Sequence, residues 1–410
     1  MKAVFGLALG VLTAIGGFVD IGDLVTNALV GSRFGLSLAW VVIVGVIGIC
    51  AFAEMSGRVV ASSGRPTFDI VRERLGPRVG LLNLVGSMAV TLLTYVAEIG
   101  GVALSLELAT SVWEFFWVPF VAVLVWVVLW RAKFDLIENV FGILGLALIV
   151  FAVALWQLGP DWSGLWRTAS TAAKPTNEAW PSYWYYAVAL FGAAMTPYEV
   201  FFFSSGGVEE GWSDKSLPTM RTNVFVGFPL GGLLSLSIAA VATVVLLPAG
   251  IEVDTLGQVA LPVTVALGKV GLAIALLGFF AATFGAACET GLAVGYSIGQ
   301  YFGWQWGKFV RPKEAARFHL VLLLSTVLAA VVLLTTVDPI LVTEFSVVFS
   351  AIALPLTYLP VLMVANDRQF MGALTNGRLA NTIGSVYLVV ILAASLAALP
   401  LMIWTKMGTT

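Results

Sequence analysis

The chain has 410 residues, of which 60% are hydrophobic and 11% are charged. Soluble domains carry about 25% charged residues, so this composition excludes a water-soluble globule and a disordered chain. The 21 Lys and Arg residues are balanced by 23 Asp and Glu residues, which excludes a nucleic-acid binder because no basic surplus exists to neutralise phosphates. Two cysteines in separate apolar runs and a single histidine also exclude a disulfide framework and His-rich metal or haem sites.

Eleven apolar segments are long enough to cross a membrane, because a hydrocarbon core about 30 Å thick needs about 20 apolar residues per helix. The sequence therefore predicts an all-α membrane protein with a single transmembrane transporter domain over 1–410. A single basic residue precedes the first segment and no cleavage site follows it, which favours a first span over a signal peptide. The predicted segments are 6–32, 36–62, 79–111, 115–131, 137–157, 182–206, 224–248, 261–302, 316–337, 340–364 and 381–404.

Basic residues fall mainly on one side of these segments. With the N-terminus placed in the cytoplasm, sixteen Lys and Arg residues lie inside and five lie outside. Cytoplasmic loops of membrane proteins carry this kind of excess. We therefore expect a multi-pass protein of the cell membrane with a cytoplasmic N-terminus, and the short loops favour a bacterial inner membrane.

The longest polar connection, near 158–181, follows the fifth segment and separates five segments from the six that come after it. Five segments on either side, with one more at the end, are the number expected of a 5+5 inverted repeat. The predicted repeats cover about 6–157 and about 182–364, and an extra helix covers about 381–404.

The first segment carries two acids in its middle, Asp20 and Asp23, with Gly22 between them. A carboxylate at mid-membrane costs about 2.5–3.5 kcal/mol, so two of them require a reason. No Lys or Arg lies in the middle of any segment to neutralise them. We interpret the pair as a cation site. The alternative is that Asp23 caps the second half of the helix while Asp20 pairs with a buried base.

The sixth segment is interrupted at Pro197, because proline lacks an N–H and clashes with the preceding turn. Interrupted helices at corresponding positions of two halves indicate a transport site near the bilayer midplane. Thr196 lies at the break, and Met195 faces another direction because one residue turns a helix by about 100°. Oxygen ligands that include two carboxylates favour a hard divalent ion such as Mg²⁺, Ca²⁺ or Mn²⁺.

Both interruptions resemble motifs of the NRAMP family of divalent-metal transporters. The stretch 20–23, Asp-Ile-Gly-Asp, is similar to the family's Asp-Pro-Gly-Asn motif in the first span. The stretch 196–198, Thr-Pro-Tyr, is similar to its Met-Pro-His motif in the sixth. The resemblance extends over about residues 8–400. Further similar stretches, in the family's order, are 31–35, 63–66, 72–74, 97–99, 354–360 and 366–368.

This resemblance implies a LeuT-like fold with broken helices 1 and 6 and with the ion bound between them. Carried over by position, Asp20, Asp23 and Thr196 become side-chain ligands, and Ala193 becomes a backbone-carbonyl ligand. The family's Asn is Asp23 here and its Met is Thr196, which adds a charge and removes a thioether. Both departures look like the NRAMP-related magnesium transporters, so we expect Mg²⁺ as the main substrate, with Mn²⁺ also admitted.

Four further residues lie near the expected ligands or along the ion's path and bear on whether transport is coupled to protons: Tyr95, Glu98, Tyr198 and Glu199. The family's His in the sixth span is Tyr198 here, and an acid usually found three residues before the family's Glu in the third span is Tyr95. Tyrosine titrates near 10, so neither residue relays protons at neutral pH without a large shift. Glu98 and Glu199 remain as acids. We expect alternating access driven by the membrane potential, without proton coupling.

Other functions remain open at this point. One is a proton-coupled Mn²⁺ transporter of the same family, and another is a LeuT-fold amino-acid carrier, although two fixed acids would repel a substrate carboxylate. A membrane enzyme would need a motif such as HExxH, which the sequence does not contain. A scaffold would not explain two broken spans. We expect no enzyme activity, no resident cofactor and no nucleic-acid partner, and a monomer in the lipid bilayer.

Overall fold

A computed structural model of the chain describes residues 18–132, 134–308 and 310–408. The regular elements of this part are helices. We number the membrane helices in chain order and divide α6 into two halves, α6a and α6b. The membrane helices are α1 (Ile21–Phe34), α2 (Ala39–Ser63), α3 (Pro77–Thr110), α4 (Glu114–Arg131), α5 (Phe134–Gly145, continued by a 3₁₀ turn into Val150–Leu158), α6a (Trp180–Ala194), α6b (Pro197–Glu209), α7 (Phe228–Ala249), α8 (Leu256–Phe302), α9 (Ala316–Leu333), α10 (Pro339–Ala365) and α11 (Arg378–Trp404).

Each predicted segment overlaps one of these helices, and the segment 182–206 overlaps both halves of α6. Ten helical stretches of the described chain are long and apolar enough to cross a membrane, and the first of them, Ile21–Ser63, joins α1 and α2. The part of the first predicted span at 6–17 lies outside the described residues. Helix α8 has 47 residues, about 70 Å at 1.5 Å per residue, and kinks at Gly268, whose φ of 64° favours glycine. It begins earlier than the predicted segment because a Thr255 capping box starts it at Leu256.

The predicted interruptions of the first and sixth spans are present. Helix α1 starts at Ile21, and the preceding Asp20 has an extended backbone with φ −103° and ψ −175°. Helix α6a ends at Ala194 and α6b begins at Pro197. Proline is tolerated at this first helical position because its missing N–H would have no partner there.

Helix α10 brings the two broken helices together. A Cβ built on Gly22 of α1 would lie 2.9 Å from Cγ1 of Val347, and one built on Gly192 of α6a would lie 2.2 Å from the Val347 carbonyl oxygen. Glycine at both positions therefore permits two close approaches to one residue of α10. The break of α1 and the end of α6a consequently lie at the same level of the protein.

Polar contacts tie the helix ends together on both sides. At one end Arg33 forms a two-pronged ion pair with Glu178, with Nη2–Oε2 at 2.9 Å, and donates to the Gly408 carbonyl. At the other end Glu54 pairs with Arg58 at 2.8 Å and with Arg221 at 3.0 Å. Several short helices lie in connections that were expected to be loops, because none of them is a long apolar run. The longer ones are Thr67–Leu75 and Trp162–Thr171, and the side chain of Asp161 caps the second.

Candidate metal site

Asp20 caps the broken end of α1. Its Oδ1 accepts a hydrogen bond of 2.9 Å from the backbone N–H of Asp23, and the residue is only 3% exposed. An acid at this position is favoured by the free N–H groups and the positive end of the helix dipole. The alternative role in which Asp23 is the cap and Asp20 pairs with a base is therefore wrong. Among the described residues neither carboxylate takes part in an ion pair with Lys, Arg or His.

Asp23 is held through one oxygen and leaves the other without a donor. Its Oδ1 accepts from Asn27 Nδ2 at 3.1 Å and from Ser235 Oγ of α7 at 3.3 Å. Its Oδ2 is buried and has no hydrogen-bond partner in the described part of the chain. Buried polar atoms are nearly always paired, so an anionic oxygen in this state is suited to receive a cation.

Glu98 adds a third carboxyl group from α3. Its Oε1 accepts from the backbone N–H of Ile21 at 3.2 Å, which anchors the first residue of α1. Its Oε2 is buried and finds no donor within the described ranges. The carboxyl lies close enough to Asp20 and Asp23 to interact with both electrostatically. Glu98 therefore positions the broken helix and adds negative charge beside the aspartate pair.

The break in α6 supplies neutral oxygens. The carbonyl of Ala193 would normally accept from the N–H of residue 197, and Pro197 has none. The Tyr358 hydroxyl of α10 donates to the carbonyls of Met195 at 3.3 Å and Thr196 at 3.4 Å, which holds the non-helical residues in place. The structure thus leaves the Ala193 carbonyl free of its usual helical partner.

Met195 turns its sulfur away from this region. A Cβ on Gly48 of α2 would lie 2.6 Å from the Met195 Sδ and 2.7 Å from Tyr387 of α11, so the thioether is packed between these two helices. Thr196 is buried at the N-terminus of α6b and its side chain makes no capping bond there. Met195 and Thr196 therefore face different directions, as expected from the sequence.

Two of the remaining predicted residues also lie near Asp20, and one does not. Glu199, in the first turn of α6b, is buried, interacts electrostatically with Asp20 and has an Oε2 with no partner among the described residues. The ring of Tyr198 is buried and its hydroxyl also lies near Asp20. The Tyr95 hydroxyl instead lies 2.6 Å from Thr326 Oγ1 of α9, so Tyr95 contacts α9.

The carboxyl groups around Asp20 do not form a metal cluster by themselves. Within the described residues, no three His, Cys, Asp or Glu side chains converge closely enough to hold an ion. A bound cation would therefore need carbonyl, hydroxyl or water oxygens as well. Three residues that shape this region could not be identified from the sequence, because each belongs to a distant helix: Ser235, Tyr358 and Val347. A fourth, Asn27, follows Asp23 by one helical turn, and that spacing could have identified it.

Comparison with known proteins agrees with this architecture. The family model described as "Natural resistance-associated macrophage protein-like" (Nramp) matches residues 10–400. The chain is similar to the divalent metal cation transporter MntH of Deinococcus radiodurans, with 26% identity over 92% of this chain and 85% of that protein. It is also similar to MntH of Pectobacterium carotovorum, with 25% identity over 93% of this chain and 90% of that protein.

Two solved structures share the fold. The manganese transporter of Eremococcus coleocola has a TM-score of 0.66 at 16% identity, covering 98% of this chain and 94% of that one. Mhp1, a nucleobase-cation-symport-1 family transporter in a closed conformation, has a TM-score of 0.64 at 14% identity, covering 97% and 92%. The chain accordingly has the LeuT-like fold, a 5+5 inverted repeat with broken first and sixth helices, as expected from the sequence.

Proposed function

Because the chain belongs to the Nramp family, whose members transport divalent metal ions across membranes, we propose that it imports Mg²⁺ and also admits Mn²⁺, by alternating access. The observation that carries this proposal is the pair Asp20 and Asp23 at the broken end of α1, where Asp23 Oδ2 has no donor in the described chain. The neighbouring thioether of Met195 is packed against α2 and α11. An oxygen-only set with two carboxylates suits a hard ion.

The proposed ligands are the carboxylates of Asp20 and Asp23, the carbonyl of Ala193 and the hydroxyl of Thr196. Four protein oxygens leave room for water, and Mg²⁺ usually keeps several waters because it dehydrates reluctantly. In this proposal Glu98 holds the start of α1 in position. Glu199 lies on α6b and faces the ion on its way to the cytoplasm.

We further propose that transport proceeds without proton coupling. Tyr95 contacts Thr326, and Tyr198 takes the place of the family's histidine, so neither supplies a group that titrates near neutral pH. The membrane potential provides about 2.3 kcal/mol per charge per 100 mV. A divalent ion therefore gains about 4.6 kcal/mol per 100 mV, which is enough to concentrate it about 2,000-fold.

The proposed orientation places the N-terminus in the cytoplasm of a bacterial cell, with the chain as one transporter domain and a monomer. The excess of basic residues in alternate loops supports this orientation. In this orientation the ion pair of Arg33 with Glu178 lies at the outer end of the protein. The ion pairs of Glu54 with Arg58 and Arg221 lie at the inner end.

A proton-coupled Mn²⁺ transporter is the second candidate. It is favoured by the names of the similar proteins, which include a manganese transporter and the MntH transporters. The two candidates differ in the ion that is preferred and in the movement of protons. An amino-acid carrier is disfavoured because Asp20 and Asp23 would repel a substrate carboxylate.

Uptake into proteoliposomes tests the proposal. We expect Mg²⁺ and Mn²⁺ uptake that increases with an inside-negative potential, with no acidification of a pH dye trapped inside. Asp20→Ala should abolish uptake and binding of both ions, whereas Asp161→Asn, a distant N-cap where Asn caps equally well, should leave both unchanged. Strong preference for Cd²⁺ or Fe²⁺ over Mg²⁺, or acidification that follows Mg²⁺ import, would contradict the proposal.

A further inference from the structure

A small cavity lies between α1, α6a and α10. Its volume is about 10 Å³, close to the minimum needed to hold one water molecule. Apolar side chains from the three helices form part of its wall. The polar residues that line it are Thr26, Tyr185, Tyr186 and Glu344.

The cavity lies one helical turn outside the candidate metal site. Thr26 follows Asp23 by three residues on α1, a rise of about 4.5 Å towards the proposed outer end. Glu344 precedes Val347 by three residues on α10, and Val347 also lines the cavity and contacts Gly22 at the break of α1. A cation that moves inwards between α1, α6a and α10 would therefore pass the cavity immediately before it reaches Asp23.

Three polar side chains in the cavity wall form no hydrogen bond or ion pair within the described ranges. Thr26 is 6% exposed and Tyr185 is 2% exposed, so both are more than nine-tenths buried. Neither hydroxyl makes a hydrogen bond to any described residue, and the half-buried Glu344 makes neither a hydrogen bond nor an ion pair with one. Removing such groups from water without a partner costs free energy, which a ligand can restore.

The charges around Glu344 are negative. Asp338 at the start of α10 and Asp254 before α8 are close enough to interact with it electrostatically, and the Tyr185 hydroxyl interacts with its carboxyl group. The guanidinium of Arg33 donates to the Tyr186 hydroxyl in the cavity wall at 3.3 Å, and it is also engaged by Glu178 and by the Gly408 carbonyl. The cavity therefore offers two hydroxyl oxygens and the Glu344 carboxyl, which forms no ion pair with any described Lys, Arg or His. Carboxylate and hydroxyl oxygens are the donors that a hard cation prefers.

We infer that Glu344, Tyr185 and Thr26 form a second divalent-cation site, in which the ion pauses before it enters the site at Asp20 and Asp23. This inference rests on the proposed function. In the conformation described, the cavity holds one water-sized species, so a hydrated ion enters after it sheds waters or after α1 and α6a separate from α10. Glu344 is then the carboxylate that raises the local ion concentration at the mouth of the inner site.

Uptake kinetics with Mn²⁺ and Mg²⁺ in proteoliposomes test this site. Focused charge raises the capture of counter-ions by about 10-fold or more, so we expect Glu344→Gln to raise the half-saturating ion concentration about 10-fold at low salt, with the maximal rate retained. The difference should shrink as ionic strength rises. Tyr185→Phe and Thr26→Val keep the shape and should each raise the same concentration. Glu114→Gln removes a half-buried acid at the outer end of α4 and should change nothing.

Counting bound Mn²⁺ by electron paramagnetic resonance separates the two sites. We expect a weak site to remain in Asp20→Ala, the strong site to remain in Glu344→Gln, and no bound ion in the double variant. If Asp20→Ala stops uptake but Glu344→Gln changes neither the kinetics nor the number of ions, the second site is wrong and the proposed function stands. If Glu344→Gln raises the half-saturating ion concentration but Tyr185→Phe and Thr26→Val do not, Glu344 acts only through its long-range electrostatic attraction. That result would also overturn the second site. Uptake that survives Asp20→Ala would instead refute the proposed function.

Discussion

Replacing Asp23 by Asn tests the ion preference most directly, because it removes one negative charge and almost no volume. In the structure Asp23 Oδ1 accepts from Asn27 and Ser235, and Oδ2 has no donor in the described chain. The two donors will hold the amide oxygen of the new Asn. The amide NH₂ then takes the position of Oδ2 and points at the ion. The variant therefore loses a charge and also presents a donor to a cation.

The expected loss follows from Coulomb's law. A divalent ion and a carboxylate about 4 Å apart attract each other by about 8 kcal/mol at an effective dielectric constant of about 20. In the variant a water molecule coordinates the ion in place of the carboxylate. We assume that this water restores about half of the lost attraction. The remaining 4 kcal/mol or so corresponds to a loss of Mg²⁺ affinity of about 1,000-fold. Mn²⁺ sheds water more readily than Mg²⁺ and should lose about tenfold less affinity.

Isothermal titration of the purified protein with Mg²⁺ and Mn²⁺ measures both affinities. We expect Asp23→Asn to lose detectable Mg²⁺ binding and to keep weak Mn²⁺ binding, so the preference shifts towards Mn²⁺. Asp161→Asn makes the same chemical change at an exposed loop helix and serves as the matched control. Unchanged Mg²⁺ affinity in Asp23→Asn, or a shift in preference towards Mg²⁺, would refute the assignment of this carboxylate as a ligand.

Three further changes probe hydrogen bonding at the site, helix packing beside it and a buried charge beyond the end of α8. Ser235→Ala removes the 3.3 Å hydrogen bond to Asp23, which is worth about 1 kcal/mol. Mn²⁺ affinity in the same titration should therefore fall about fivefold. An unchanged affinity would mean that the bond does not orient the carboxylate. Gly192→Ala would place a Cβ 2.2 Å from a carbonyl oxygen of α10 and should destabilise the protein by about 1–3 kcal/mol in thermal melts, whereas Gly145→Ala, which meets nothing within 4 Å, should not. Burial lowers the pKa of the Lys308 ammonium, in the connection between α8 and α9, to about 8. The folded chain then releases this proton while the unfolded chain retains it up to about 10.4, so stability should rise with pH across that window, and Lys308→Met should flatten the rise.

Much of the fold could be predicted because its signals are local in the chain. Apolar runs gave the positions of all the predicted spans, since the bilayer thickness sets the length that a helix needs. The acids at 20 and 23 and the proline at 197 located the two breaks, because each changes the backbone within one turn. The short loop helices and the kink at Gly268 were missed, since a helix of one to three turns and a single positive φ leave little trace in hydropathy.

The site was only half predictable. The sequence by itself determined which oxygens are present at the broken helices and that basic partners are scarce in the membrane, because composition and spacing fix both. Tertiary structure decided which groups meet: Glu98 reaches the N–H of Ile21 across 77 residues, and Ser235 reaches Asp23 across 212. It also directed Tyr95 to α9 and brought Glu344 and Tyr185 into the wall of one cavity with Thr26. Helical periodicity constrains only neighbours within a turn or two, so contacts of this range depend on how the helices pack.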